Sequence, residues 1–235
     1  MRPWIPFAVK TGIGSLPHSE VGAALRYAFA HEVPFLPELL ARGEGIFSTE
    51  RACWAGFLEG IKGRDFAKVQ CVGPVTAGAD VTARAVAMVR AVRDAGPTPI
   101  FFFDEPALRG PLDGLASAIA AVQAEGAVVG VHCCGQADWA ALFCTGLEVL
   151  SFDVRLSLDA VVEAGFTGTM ALGVIPTGPG ARSSVSKLMR TLPRLESVML
   201  TPACGLGLKT EREAQRIFDA LCEAQVALNG ESPTS

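Results

Sequence analysis

Residues Ala127–Gly135 read AVVGVHCCG, and the way such a stretch can sit in a protein decides the fold class. A charge-free run of small and β-branched residues is a strand buried on both faces, as in a parallel sheet covered by helices. The run stops at a histidine, two cysteines and a glycine, so chemistry-bearing side chains stand at the strand's exit. In extended backbone His132 and Cys134 project to one side and Cys133 to the other. An imidazole and a thiolate on one side suit a single metal ion. Two ligands leave a tetrahedral zinc site incomplete, so further donors must come from elsewhere in the chain.

Outward from this stretch, β-rich runs alternate with helical ones. The strands are expected at Lys10–Leu16, Val33–Leu36, Ala67–Val72, Pro99–Phe103, Val128–His132, Val149–Asp153, Met170–Ile175 and Val198–Pro202. The helices are expected at Ser19–His31, Thr49–Ile61, Ala79–Ala95, Leu112–Ala124, Ala137–Cys144, Ser157–Ala164, Ser183–Leu192 and Thr210–Asn229. Ser19 before an Ala/Leu-rich stretch, and Thr210 with Glu211 and Glu213 behind it, are start signals. Strict alternation predicts right-handed βαβ units, and eight of them close into a single (β/α)8 TIM barrel. An open doubly wound sheet is the alternative. Against it, GIGS at Gly12–Ser15 lacks the three-glycine fingerprint of a dinucleotide site. One domain over residues 1–230 is expected, followed by a disordered tail, Glu231–Ser235.

A net charge of -4 with no run of Lys or Arg leaves no electrostatic footprint for nucleic acid or an anionic membrane, so the partners are expected to be small molecules or another protein. No apolar run reaches membrane-spanning length without a charge, Gly or Pro, and a soluble, cytoplasmic protein is expected. The seven cysteines read as reduced thiols or metal ligands rather than as disulfides. Cys53, Cys71, Cys144 and Cys222 lie in apolar or helical contexts and read as small buried hydrophobes. Cys133, Cys134 and Cys204 fall at strand ends.

In a parallel barrel the working residues stand at the C-terminal ends of the strands. Those positions offer Ile13 and Ser15 with His18 behind them, then Glu38, Asp104 and Glu105, His132 and Cys134, Asp153, and Cys204. His132, Cys134, Cys204 and Asp153 are a mixed nitrogen, sulfur and oxygen set, which suits Zn2+ better than an iron–sulfur cluster or a redox metal. Asp153 can alternatively cap the helix that follows it. Asp104 and Glu105 are adjacent and point apart, so one faces a substrate while the other pairs with a loop amide or Arg109. Asp104 with Glu38 can hold a cationic group such as a substrate ammonium. A general acid–base pair is the competing reading of the same two carboxylates.

Four motifs carry a resemblance. TGIGSLP at Thr11–Pro17, QCVGPVT at Gln70–Thr76, FFDEPAL at Phe102–Leu108 and TPACGLGLKT at Thr201–Thr210 resemble the catalytic barrel of cobalamin-independent methionine synthase. His132–Gly135, followed by GLEVLSFD at Gly146–Asp153, is similar to the zinc-dependent methylcorrinoid:coenzyme M methyltransferases of the same superfamily, which includes uroporphyrinogen decarboxylase. The resemblance implies that His132, Cys134 and Cys204 bind zinc, with Asp153 where the synthase has a glutamate ligand one methylene longer. It implies further that Asp104 and Glu38 hold the amino group of homocysteine, while the Ile13 backbone and Ser15 receive its carboxylate.

The chain departs from the synthase in two places. The tryptophan that follows GPVT there is missing here, where the sequence reads GPVTAGAD and brings Asp80 near that position. The histidine after the seventh strand, which helps protonate departing folate, has no counterpart in Leu172–Gly178. A folate donor needs that proton, whereas a corrinoid leaves as Co(I) without one. The expectation is therefore a compact, single-barrel zinc enzyme that methylates homocysteine or another small thiol, with methylcobalamin or a methylated corrinoid protein as donor. Transfer to coenzyme M or a different thiol is the nearest rival. A porphyrinogen-type decarboxylase would need arginines at the mouth. A non-catalytic zinc- or corrinoid-binding accessory protein is the rival from another class.

Overall fold

A computed structural model of the protein describes residues 8–106, 108–178 and 197–230. Nine strands run through them: β1 (Ala8–Lys10), β2 (Ser15–Leu16), β3 (Glu38–Leu39), β4 (Phe66–Val72), β5 (Thr98–Asp104), β6 (Val128–Cys133), β7 (Val149–Asp153), β8 (Thr169–Ile175) and β9 (Val198–Pro202). The helices among them are α1 (Val21–Phe29), α2 (Trp54–Gly60), α3 (Pro74–Ala77), α4 (Thr82–Ala95), α5 (Asp113–Gln123), α6 (Trp139–Phe143), α7 (Val154–Glu163) and α8 (Glu211–Gly230). The expected helix Ser183–Leu192 and the tail Glu231–Ser235 lie outside the described residues.

Seven strands form one parallel sheet in the order β1-β9-β8-β7-β6-β5-β4, and β2 and β3 make a separate parallel pair. The eight-stranded sheet expected from the alternation is thus a curled seven-stranded one. Its missing member is Val33–Leu36, which is too short for a full ladder yet touches both edges. Val33 N–H donates to the Lys10 carbonyl on β1, Lys68 N–H on β4 donates to Pro34, and Leu36 N–H donates back to Lys68. Pro34 has no N–H to contribute, which limits the ladder that this segment can build.

The first expected strand, Lys10–Leu16, is also broken, into β1 and β2, and close packing explains the break. A Cβ at Gly12 would stand 2.3 Å from the Phe35 ring, and one at Gly14 would stand 2.5 Å from the Gln70 amide. Between the two strands the backbone presses against neighbours that only glycine admits, and it leaves the β1–β9 ladder.

Strand alternation sorts the side chains. On β5, Phe101 and Phe103 join the large core between sheet and helices, while Ile100 and Phe102 join a smaller one inside the curl with Val9, Val33, Val149, Ala171 and Met199. On β6, Val129, Val131 and Cys133 face the outer core. Asp104 and His132 therefore continue the inward rows, directly opposite one another in the β5–β6 register. The inner apolar layer lies below these positions, and on β4 it is interrupted by Lys68 and Gln70, which stand opposite Ile100 and Phe102 in the β4–β5 register.

Helix ends follow their caps. Thr210 and Glu213 form a reciprocal capping box ahead of α8, with Thr210 N–H to the Glu213 carboxylate at 2.8 Å and Glu213 N–H to Thr210 Oγ1 at 3.2 Å. The expected Ser19 start is displaced: Glu20 occupies the N-cap of α1 without a side-chain cap. No helix among the described residues is long and apolar enough to cross a membrane.

Candidate metal centre and its cavity

One cavity of about 280 Å³ opens at the strand ends, and Ile13, Ser15, Glu38, Asp104, His132, Cys134 and Cys204 all line it. The chain brings them together from the β1–β2 connection and β2, β3, β5, the end of β6 with the residue after it, and the segment after β9. The ligand atoms of His132, Cys134 and Cys204 lie within 4.8 Å of one another, and no other such group exists among the described residues.

His132 is set for ligation. Its Nδ1 lies 2.9 Å from Ser151 Oγ, on the neighbouring strand β7. Its Nε2 is buried with no hydrogen-bond partner. With the Nδ1 proton given to the serine, Nε2 carries the free lone pair that a metal takes, and the partner also fixes the ring's orientation. The Cys134 thiol, and next the His132 ring, hold Cys204 well below the ordinary cysteine value, while the Cys204 thiol raises Cys134. An orphaned imidazole nitrogen beside two sulfurs, one readily ionised, fits Zn2+ in a Cys2His set with a fourth position open.

Asp153, expected as a further ligand, is corrected. Its carboxylate accepts from Arg155 N–H at 2.9 Å as the N-cap of α7, and it does not belong to the converging group. The chain needs a cap where β7 turns into α7, and an aspartate arm reaches that amide more readily than the cavity.

The neighbouring acids divide their work. Glu105 is buried and accepts from Val75 and Thr76 N–H at 2.8 and 2.7 Å, tying down the start of α3. Asp104 faces the cavity, and its Oδ1 is buried without a partner. Burial holds the Asp104 carboxyl well above the usual carboxylate range, with Lys68 pulling it down and Glu38 and Cys204 pushing it up. It is a carboxylate short of counter-charge. Glu38 is not: its Oε1 accepts from buried Arg51 at 2.9 Å and from Gln70 Nε2 at 3.4 Å. The two acids that the sequence pairs as equals are therefore unequal.

Ser15 Oγ accepts from Gly207 N–H at 3.4 Å, and the Ser15 carbonyl accepts from Leu206 N–H at 2.8 Å. This docks the segment after Cys204 onto the β1–β2 connection. A Cβ at Gly205 would meet Ser15 Oγ at 2.0 Å, so the approach requires glycine there.

Four residues of this assembly escape the sequence reading: Ser151, Lys68, Gln70 and Arg51. Lys68 and Gln70 carried a signal, because they alternate with Ala67, Val69 and Cys71 and must face inward if those face the helices. Ser151 alternates likewise with Leu150 and Phe152. Arg51 stands in a loop with no periodicity to betray it. Among the cysteines read as buried hydrophobes, Cys53 and Cys71 are buried, Cys222 is half-buried and Cys144 is exposed.

Comparison with protein-family models gives no match, and comparison with curated proteins gives none either. Among solved structures the chain is similar to the catalytic domain of a mannanase from Streptomyces sp. SirexAA-E, with a TM-score of 0.51 and 15% identity over 83% of this chain and 74% of that one. At that identity the likeness is one of fold: strands and helices in the same arrangement.

Proposed function

We propose that the protein is a zinc-dependent thiol S-methyltransferase on a closed (β/α)8 barrel, which converts homocysteine to methionine with methylcobalamin or a methylated corrinoid protein as donor. The two-sided bonding of Val33–Leu36 supports the closure. The observation that carries the chemistry is the convergence of His132 Nε2 with the sulfurs of Cys134 and Cys204, at the cavity where Asp104 leaves an oxygen unpartnered.

Bound by those three side chains, Zn2+ would keep a fourth position for a substrate sulfur and lower the pKa of that thiol toward neutrality. The rest falls to the chain's own residues. Ser151 orients the His132 ring. Asp104 accepts from the substrate ammonium, which supplies the missing counter-charge, and Glu38 stays fixed by Arg51 as the second wall. The Ser15 hydroxyl, whose oxygen accepts from Gly207, still has its proton to donate to a carboxylate. A methylated corrinoid, when bound, would supply a methyl group whose carrier leaves without a proton, so these residues need only hold and orient the substrate sulfur toward it.

A corrinoid is favoured over folate because the chain has three histidines and His132 alone lines the cavity. No second imidazole stands there to protonate a departing amine. Glu38 and Asp104 do not suit an acid–base pair of the sort used on glycosides, since Glu38 is tied in a buried ion pair and the thiols would have no role. The test is metal analysis of the purified protein, followed by methyl transfer from methylcobalamin to a panel of homocysteine, coenzyme M and simple thiols. One zinc per chain and methionine formation are expected. Zinc-free protein of full activity, or zinc-loaded protein that methylates none of the thiols, overturns the reading.

A further inference from the structure

Beneath the cavity lies a lysine that none of these roles uses. Lys68 is buried on β4, facing into the curl. Its Nζ donates to the Ile13 carbonyl at 2.6 Å and to Gln70 Oε1 at 3.2 Å, and it stands 5.0 Å over the Phe102 ring. Gln70 in turn donates to the Leu36 carbonyl at 2.8 Å and packs against Gly14. A cation is thus embedded in the interior, where an uncompensated charge is costly, and it grips the backbone that carries Ile13 and Ser15 to the cavity wall.

The grip has a geometric consequence. A trans peptide points its carbonyl and the following N–H in opposite directions, and the chain has no cis peptide among the described residues. With the Ile13 carbonyl drawn down onto Lys68, the Gly14 N–H is turned away from the interior, between two residues that line the cavity. The N–H groups of Ile13 and Gly14 donate to no acceptor among the described residues. Two free amides and the Ser15 hydroxyl on one short strap, with a lysine charge behind them, form a receptor for a carboxylate. Asp104 and Glu38 lie near enough to favour the charged form of Lys68 and oppose the burial that pushes its pKa down to about 8.

We propose that Lys68 is the positioning residue of a carboxylate subsite, holding the Ile13 carbonyl so that the Ile13 and Gly14 N–H groups and Ser15 select thiols that bear an α-carboxylate. The proposal rests on the thiol-binding reading above and adds to it a determinant of which thiols bind. Lys68 acts through the strap and does not touch the substrate.

The test uses protein loaded with Co2+, whose thiolate absorption reports binding without turnover. Homocysteine is titrated against 3-aminopropanethiol, which has the same thiol and amine but no carboxylate. In the natural protein homocysteine should bind more tightly. In Lys68→Met its affinity should fall about tenfold to a hundredfold, the loss of one charge-assisted contact, while 3-aminopropanethiol stays within twofold and the cobalt stoichiometry is unchanged. Lys68→Arg keeps the charge but displaces the donor; it should give the same selective loss at a smaller size, and it serves alone if the methionine variant does not fold. Equal weakening of both thiols, or no weakening of homocysteine, overturns the proposal and leaves the thiol-binding reading standing. Failure of the natural protein to take up cobalt, or to answer to either thiol, overturns both.

Discussion

His132 and His31 are both buried, and both place Nδ1 within 3.0 Å of a hydrogen-bonding oxygen, Ser151 Oγ for one and the Tyr27 carbonyl for the other. Their surroundings are opposite. His31 is enclosed by aromatic rings, with Tyr27, Phe35 and Phe218 at centroid distances of 5.4, 5.2 and 4.9 Å. His132 stands beside two thiols with Nε2 unpartnered. An orphaned nitrogen is not sufficient by itself, since His18 Nδ1 is also buried without a partner and lies against the Tyr27 ring. What separates a site from a packed polar group is the convergence of several donors on the unpartnered atom. The comparison can be broken by experiment.

The largest effect is expected at His132. In His132→Ala, zinc affinity should fall by about a thousandfold, roughly the third of a structural-zinc binding energy that one of three protein ligands supplies. Chelator competition measures it. Zinc affinity in His31→Leu should be unchanged, and equal losses in both variants would erase the distinction.

His31 has its own signature, in stability. Burial pushes its pKa down to about 4 from the ordinary 6.5, against the Tyr27 carbonyl, which favours the proton. Between those values the unfolded chain binds a proton that the folded protein refuses. Stability is therefore complete above pH 6.5 and is lost as the pH falls toward 4, by about 3 kcal/mol in all. Urea unfolding of His31→Leu across that window should show a shallower fall than the natural protein. Parallel curves would mean that the ring is not buried neutral.

Much of this architecture was legible because a buried parallel strand has to be apolar on both sides. Six of the eight expected strands stand in the main sheet close to their expected positions, since runs such as IFFF and AVVGV fit few other environments, whereas the first, Lys10–Leu16, meets that sheet only at Lys10 and ends in the separate β2–β3 pair. Val33–Leu36 was legible as a β-rich run but not as the short segment between two edges that it is, because its bonding depends on partners remote in sequence. At the site, His132, Cys134 and Cys204 could be found because the C-terminal ends of parallel strands share one mouth, where such side chains can converge. The inequality of Glu38 and Asp104 was invisible. It depends on Arg51, which no pattern ties to either acid.

The support behind His132 offers a graded test of the same comparison. Ser151→Ala removes the partner of Nδ1 while leaving all three ligand atoms, and loss of such an outer contact costs about tenfold to a hundredfold in metal affinity. Ser151→Thr keeps the hydroxyl and should restore most of it. An alanine variant that binds zinc as well as the natural protein would mean that the ring is oriented by packing alone, as His31 is.

Asp153 carries the smallest expected effect and the sharpest contrast with His132, Cys134 and Cys204. Ligand and cap predict different responses to two substitutions. As the cap of α7, Asp153→Ala should cost about 1 kcal/mol of stability, and Asp153→Asn, whose side-chain oxygen can still accept from Arg155 N–H, only a few tenths. Neither should change zinc affinity. As a ligand, both would weaken zinc heavily, because an amide oxygen lacks the negative charge that makes a carboxylate a good donor. Denaturant midpoints and chelator competition on the same two variants separate the cases. A stability loss confined to alanine, with zinc unaltered in both, leaves the metal to one imidazole and two sulfurs, and the open position to the substrate.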